Sequence, residues 1–219
     1  MRVLGLIRVL STNDAELLNR HGRLLDEFFG DPELTVVSRC IEGHPDGLWN
    51  SAGERKALPK IVRLGQEMAR GDGAAALLVS CVADPGVPEL RETVEVPVIG
   101  AGSASAAMAL AVGQSVGALS IVPGVLPPIS DVLGKHLVGW EVPVGVKTTL
   151  DLMSKDGKER FVEAGERLKV QGAEVILLAC TGFSTIRIAP FLEKRLGLPV
   201  VDPVISAGLA AYYAMVGNR

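Results

Sequence analysis

Cys81 and Cys180 are the residues of this chain whose type and spacing best suit chemistry. Each closes an aliphatic segment, and the two segments look like copies. One reads Gly73-Ala74-Ala75-Ala76-Leu77-Leu78-Val79-Ser80-Cys81 and the other Gly172-Ala173-Glu174-Val175-Ile176-Leu177-Leu178-Ala179-Cys180, with the same Gly-to-Cys spacing. The likeness continues in Val96-Pro97-Val98-Ile99 and Leu198-Pro199-Val200-Val201. A duplicated α/β unit with one thiol at the end of each equivalent strand suggests two thiols facing one cleft. Two-base proton transfer needs such a pair, one group to take a proton from carbon and one to supply it. A single cysteine would read as a small buried hydrophobe; a matched pair in a repeat favours function.

A helix is expected to begin just after each cysteine. Its first amides would favour the thiolate and could also hold a substrate anion. Substrate-binding candidates are therefore Val82, Ala83 and Asp84 after the first cysteine and Thr181 and Gly182 after the second, with Arg8 and Ser11 at the same end of the first sheet. Arg8 falls late in a buried strand and needs an anionic partner, from substrate or from protein. Asp84 could orient a substrate or cap the helix starting at Pro85, and Thr181 has the same two options. Cys40 reads as structural. His21, His44 and His136 show no metal spacing and read as surface or capping residues. No zinc pattern, P-loop or complete dinucleotide fingerprint is present, so neither metal nor cofactor is expected.

Short aliphatic runs alternating with helical patterns must position these groups. Strands are expected at Val3–Leu10, Leu34–Arg39, Ala75–Ser80, Val96–Ile99, Gly117–Val122, Val142–Val144, Glu174–Ala179 and Val200–Val201. Helices are expected at Asp14–Phe29, capped by Thr12 or Asn13, and at Gly53–Gly71, Pro85–Thr93, Ser103–Gly113, Ile129–Leu137, Lys155–Gln171, Ser184–Leu196 and Ala207–Val216. This alternation predicts an α/β fold with parallel sheets. The repeat predicts two similar lobes, each with a four-stranded parallel sheet flanked by helices. The first lobe would take residues 1–99 plus a returning helix at 204–219, and the second residues 100–203. Irregular loops are expected at Glu42–Ala52, with the turn His44-Pro45-Asp46-Gly47 before Trp49, and at Pro123–Pro128.

The chain has 219 residues, a net charge of −3 and 48% hydrophobic residues but only 4% aromatic ones. Nucleic-acid binding is not expected from this balance. No apolar run reaches the roughly 20 residues of a bilayer span, and the N-terminus reads as a strand rather than a leader. These features, with three unpatterned cysteines, suggest a cytoplasmic protein acting on a small molecule.

At Ser80-Cys81-Val82-Ala83-Asp84-Pro85-Gly86, Pro97-Val98-Ile99-Gly100 and Ala179-Cys180-Thr181-Gly182 the chain resembles the Asp/Glu/hydantoin racemase superfamily, most of all its hydantoin-racemase-like branch. The resemblance covers nearly the whole chain. It implies lobes related by pseudo-twofold symmetry, a site between them, and frequent assembly into homo-oligomers. It also implies cofactor-independent racemisation or epimerisation, with Cys81 and Cys180 as the acid/base pair. Two positions depart from the family. Leu10-Ser11-Thr12-Asn13 stands where many hydantoin racemases have an Asn-Pro-Asn-Thr type segment. Gly182 stands where glutamate and aspartate racemases have histidine, which argues against a glutamate racemase. The other readings are an isomerase or decarboxylase of small dicarboxylic acids using one cysteine, a non-catalytic two-lobed binding protein, and a redox dithiol.

Overall fold

The computed structural model describes residues 1–45, 47–48, 51–145 and 155–216. It divides into two compact units. One runs from Met1 to Ala101 and resumes at Ala207; the other is Gly102–Ser206.

The first unit is built on β1 (Arg2–Arg8), β2 (Leu34–Cys40), β3 (Ala76–Ser80) and β4 (Val98–Gly100), all parallel, in the order β2-β1-β3-β4. The register pairs Arg8 with both Cys40 and Ser80, so three strands end at one level and Cys81 begins the turn beyond it. β3 is buried along its whole length, which is why its sequence is a continuous aliphatic run rather than an alternating one. Between the strands lie α1 (Ala15–Phe29), α2 (Ser51–Arg70) and α3 (Val87–Thr93). The N-cap of α1 is Asp14, not Thr12 or Asn13: its carboxylate accepts from the Glu16 and Leu17 amides. Thr12 instead takes the Asp14 amide. Ile7, Ile61, Leu77, Val79 and Leu90 form the core between this sheet and α2 and α3.

The second unit repeats the topology. Its strands β5 (Val116–Leu119), β6 (Leu137–Glu141), β7 (Val175–Leu178) and β8 (Val200–Val201) are parallel in the order β6-β5-β7-β8. Its helices are α4 (Ala101–Val112), α5 (Pro127–Leu133), α6 (Lys155–Val170), α7 (Gly182–Thr185) and α8 (Ala189–Leu196). The core gathers Leu119, Phe161, Leu168, Leu178, Phe183 and Leu192. Phe161 meets Phe183 edge-to-face at 4.9 Å, a contact worth about 1 kcal/mol beyond its buried area. A last helix, α9 (Pro203–Val216), starts in this unit and ends in the first. There Tyr212 stacks on Phe29 at 4.9 Å and donates to Asp31 at 2.8 Å.

Three expected elements move. The sixth strand is Leu137–Glu141, not Val142–Val144; it pairs with β5 across an irregularity at Val116 and Gly117. Pro143 has no amide to give to a ladder. The helix before it ends at Leu133, because Gly134 leaves helical geometry with φ 49°, and a single 3₁₀ turn, Gly134–His136, follows. The helix expected at Ser184–Leu196 is broken into α7 and α8. Arg187 turns left-handed with φ 51°, and Pro190 cannot donate to a carbonyl of the preceding turn. Of the loop at residues 44–49, Asp46 and Trp49 lie outside the described residues; Gly47 N donates to His44 O at 3.1 Å.

Candidate active site

Both cysteines stand just past the carboxyl end of a buried strand, in one kind of turn. Asp84 N donates to Cys81 O at 3.1 Å, and Phe183 N donates to Cys180 O at 3.1 Å. Both cysteine residues are half-buried. Equivalent strands, β3 and β7, thus deliver the cysteines to equivalent positions in their own units, as the strand order requires. In parallel sheets this end of the strands is where ligands bind.

The turn after Cys180 is held by Phe183, which is fully buried. The amides of Gly182 and Phe183 hydrogen-bond the Cys180 sulfur and favour its thiolate, but burial outweighs them and pushes the thiol from an ordinary 9.0 up to about 11. Helix amides were expected to win here. α7 has only four residues, so little dipole stands behind its first amides. Cys180 is therefore held as a neutral thiol at physiological pH. Thr181 holds the N-cap position of α7 without a side-chain cap bond.

Asp84 also departs from its expected capping role. The N-cap of α3 is Gly86, with no side-chain bond. Asp84 is buried at 9% exposure and takes a left-handed φ of 48°, and its carboxyl lies against Gly100. Among the described residues other than glycine, only Asp84 and Arg187 have positive φ; Asp84 is the third residue after Cys81 and Arg187 the seventh after Cys180. Strain of this kind persists where surroundings over-determine it, and it concentrates at functional sites.

Arg8 is buried, and its guanidinium donates to the carbonyls of Leu17 and Leu18 in α1 at 3.0 and 3.2 Å. Its protein partner is thus a helix backbone, not a carboxylate. Burial is the main cause that lowers its pKa to about 10. Ser11 is committed to the loop: its hydroxyl donates to Ile41 O at 2.6 Å and accepts the His44 amide at 2.7 Å. Cys40 lies opposite Arg8 in the ladder, with its sulfur 3.7 Å from Thr12 O. Val82 is buried, and Ala83 lies beside it in the turn after Cys81.

Two histidines expected at the surface are inside. His21 is 1% exposed and bonds Ser80, the residue before Cys81, at 2.8 Å. His44 is buried beside Lys60. His136 bonds Gln114 O at 2.7 Å. Among the described residues no three His, Cys, Asp or Glu side chains gather as metal ligands. No described helix is long and apolar enough to cross a membrane. A depression of about 400 Å³ lined by Arg39, Arg63, Glu67 and Arg70 includes neither catalytic candidate; Glu67 pairs with Arg39 and Arg63 there.

Two repeated α/β units with a cysteine at the same strand end define a class of two-lobed, thiol-bearing proteins. Residues 15–210 match the family model for Asp/Glu/hydantoin racemases, and the chain belongs to that family of isomerases. It is 29% identical over 187 residues to the hydantoin racemase of Pseudomonas sp. (strain NS671), covering 80% of this chain and 71% of that one. The allantoin racemase structure from Klebsiella pneumoniae superposes with a TM-score of 0.84 at 21% identity, over 99% of this chain and 89% of the other. Unliganded arylmalonate decarboxylase shares the fold with a TM-score of 0.64 at 20% identity, covering 100% and 94%.

Proposed function

We propose that this protein is a cofactor-independent racemase of a hydantoin-like cyclic amide or related small amino-acid derivative, with Cys81 and Cys180 as its acid/base pair. One observation carries the reading. The two cysteines end equivalent strands of two units with the same strand order, and each is followed by the same i to i+3 turn. The similarity to hydantoin and allantoin racemases supports the substrate class.

In this reading the Cys81 thiolate removes the α-proton from one face. The electron pair spreads onto the adjacent carbonyl, and the Cys180 thiol delivers its own proton to the opposite face. Cys180 leaves the cycle as thiolate and Cys81 as thiol, which is the state that runs the reverse reaction. In this reading the amides of the turn through Val82 and Ala83 supply fixed positive potential to the developing negative charge, while the Gly182 amide serves the Cys180 sulfur. The high affinity of Cys180 for its proton makes it the resting donor.

The test is α-proton exchange in deuterium oxide, followed by NMR over 5-substituted hydantoins, allantoin, amino acids and small dicarboxylic acids. Exchange of a cyclic amide, with loss of optical activity at a comparable rate, supports the proposal. Absence of exchange across the panel contradicts it.

A single-thiol reaction is the second reading: Cys180, kept protonated by burial, would be its lone proton donor. A protein of that kind would lose activity with Cys180→Ser and keep it with Cys81→Ser.

A further inference from the structure

One carboxyl oxygen of Asp202 binds three donors. Its Oδ1 accepts the Val204 and Ile205 amides at 2.9 and 3.1 Å, which caps the start of α9, and the Ser184 hydroxyl at 2.8 Å. The Asp202 carbonyl is fixed too, by the Ser206 amide at 3.0 Å and the Ser206 hydroxyl at 2.8 Å. Asp202 and Ser184 are both buried, and all of these residues belong to the second unit. Ser184 lies in α7, the turn after Cys180 whose Gly182 and Phe183 amides hydrogen-bond the cysteine sulfur. A four-residue helix does not hold its shape unaided, and α7 has no side-chain cap bond at its start. The left-handed Arg187 then separates it from α8. Burial of Phe183 and the bond from Ser184 to Asp202 anchor it. The strand registers set Gly100 where the second unit has Asp202, and the repeat sets Pro85 where it has Ser184. Neither of those residues has a side chain for this bond, so at these positions only the Cys180 turn carries it.

We propose that Asp202 is a positioning residue for Cys180: through the Ser184 hydroxyl it holds the Gly182 and Phe183 amides in place at the cysteine. The proposal rests on the reading of Cys180 as an acid/base residue. When Cys180 gives up its proton, the sulfur becomes an anion where burial opposes charge, and those two amides offset part of that cost. Their aim depends on the peptides from Thr181 to Ser184. Phe183 N also donates to Cys180 O at 3.1 Å and Ser184 N to Thr181 O at 3.2 Å, so a shift of Ser184 moves the whole turn. A hydroxyl donating to a carboxylate makes one of the stronger hydrogen bonds, and burial keeps water from competing for it. Asp202 acts through Ser184 rather than on the sulfur itself.

The test cuts the tie and leaves the cap. Ser184→Ala removes the hydroxyl while Asp202 still caps α9, so Tm falls by only about 2–4 °C. Hydrogen exchange of the Gly182 and Phe183 amides, read by NMR, accelerates about tenfold or more in Ser184→Ala. Asp202→Asn keeps an acceptor for the hydroxyl and holds both rates within about threefold of wild type. Unchanged protection in Ser184→Ala overturns the tie. The link to Cys180 is read on single-cysteine backgrounds, as α-proton exchange in deuterium oxide. Ser184→Ala lowers kcat for exchange about tenfold more in Cys81→Ser, where Cys180 acts, than in Cys180→Ser, where Cys81 acts, with KM within about twofold. Asp202→Ala repeats that selective loss and Asp202→Asn avoids it. Equal losses on the two backgrounds, which a merely structural effect would give, overturn the positioning role. Absence of α-proton exchange in the wild type counts against the racemase reading alone, and the amide protection still decides the tie.

Discussion

His21 Nδ1 lies 2.8 Å from Ser80 Oγ, and Ser80 immediately precedes Cys81. Both side chains are buried, so helix α1 is pinned to the end of β3 by a bond that water does not reach. Replacing His21 by Leu leaves a buried hydroxyl without this partner and costs about 1–3 kcal/mol. Adding Ser80→Ala removes that hydroxyl. The double variant His21→Leu/Ser80→Ala is therefore expected to lose less than the sum of the singles, measured by urea unfolding. Strict additivity contradicts a coupled pair.

Cys180 gives a pH prediction in its reactivity. With its thiol held up to about 11, alkylation by iodoacetamide, followed by mass spectrometry of the Cys180 peptide, rises about tenfold per pH unit between pH 8 and 10. A plateau below pH 9 contradicts burial as the dominant effect.

The same shift makes a stability prediction. The folded thiol holds its proton more tightly than the ordinary value of 9.0, so its contribution is complete below pH 9 and is lost as pH rises through about 11. Wild type is expected to lose about 2–3 kcal/mol more than Cys180→Ala between those limits. Parallel stability curves contradict it.

Asp202 is buried, and burial is the main cause that raises its carboxyl pKa. Asp202→Ala removes a cap and strands the Ser184 hydroxyl, at about 2–4 kcal/mol. Asp202→Asn keeps an acceptor in place and costs under about 1 kcal/mol. The folded state prefers the protonated acid, so wild type loses stability relative to Asp202→Asn as pH climbs above the ordinary 3.8. Chemical denaturation across that range checks the sign.

The repeat around Cys81 and Cys180 carried the four parallel strands of each unit, because a duplicated sequence implies a duplicated architecture; their order came from the structure. Local rules failed where a distant contact decided. Near Val142 only Pro143 speaks against a strand there, and nothing local places it at Leu137–Glu141; the pairing with β5 does. His21 had a legible signal: it lies four residues before Leu25, on the buried stripe of α1, so helical spacing placed it inside. The Asp84–Gly100 contact joins two turns apart in sequence, and its only trace was the mismatch of Gly100 with Asp202 across the repeat. The balance between amides and burial at Cys180 depends on packing by Phe183, which spacing does not reveal.

The central claim is that two thiols act on one α-carbon from opposite faces. The most direct measurement follows deuterium exchange of each enantiomer of the active substrate separately, in Cys81→Ser and Cys180→Ser. The account predicts that racemisation falls by several orders of magnitude in both variants, while each remaining cysteine still exchanges the α-proton of one enantiomer with retention, and the two variants prefer opposite enantiomers. Full racemisation surviving either substitution, or both variants acting on the same enantiomer, contradicts it.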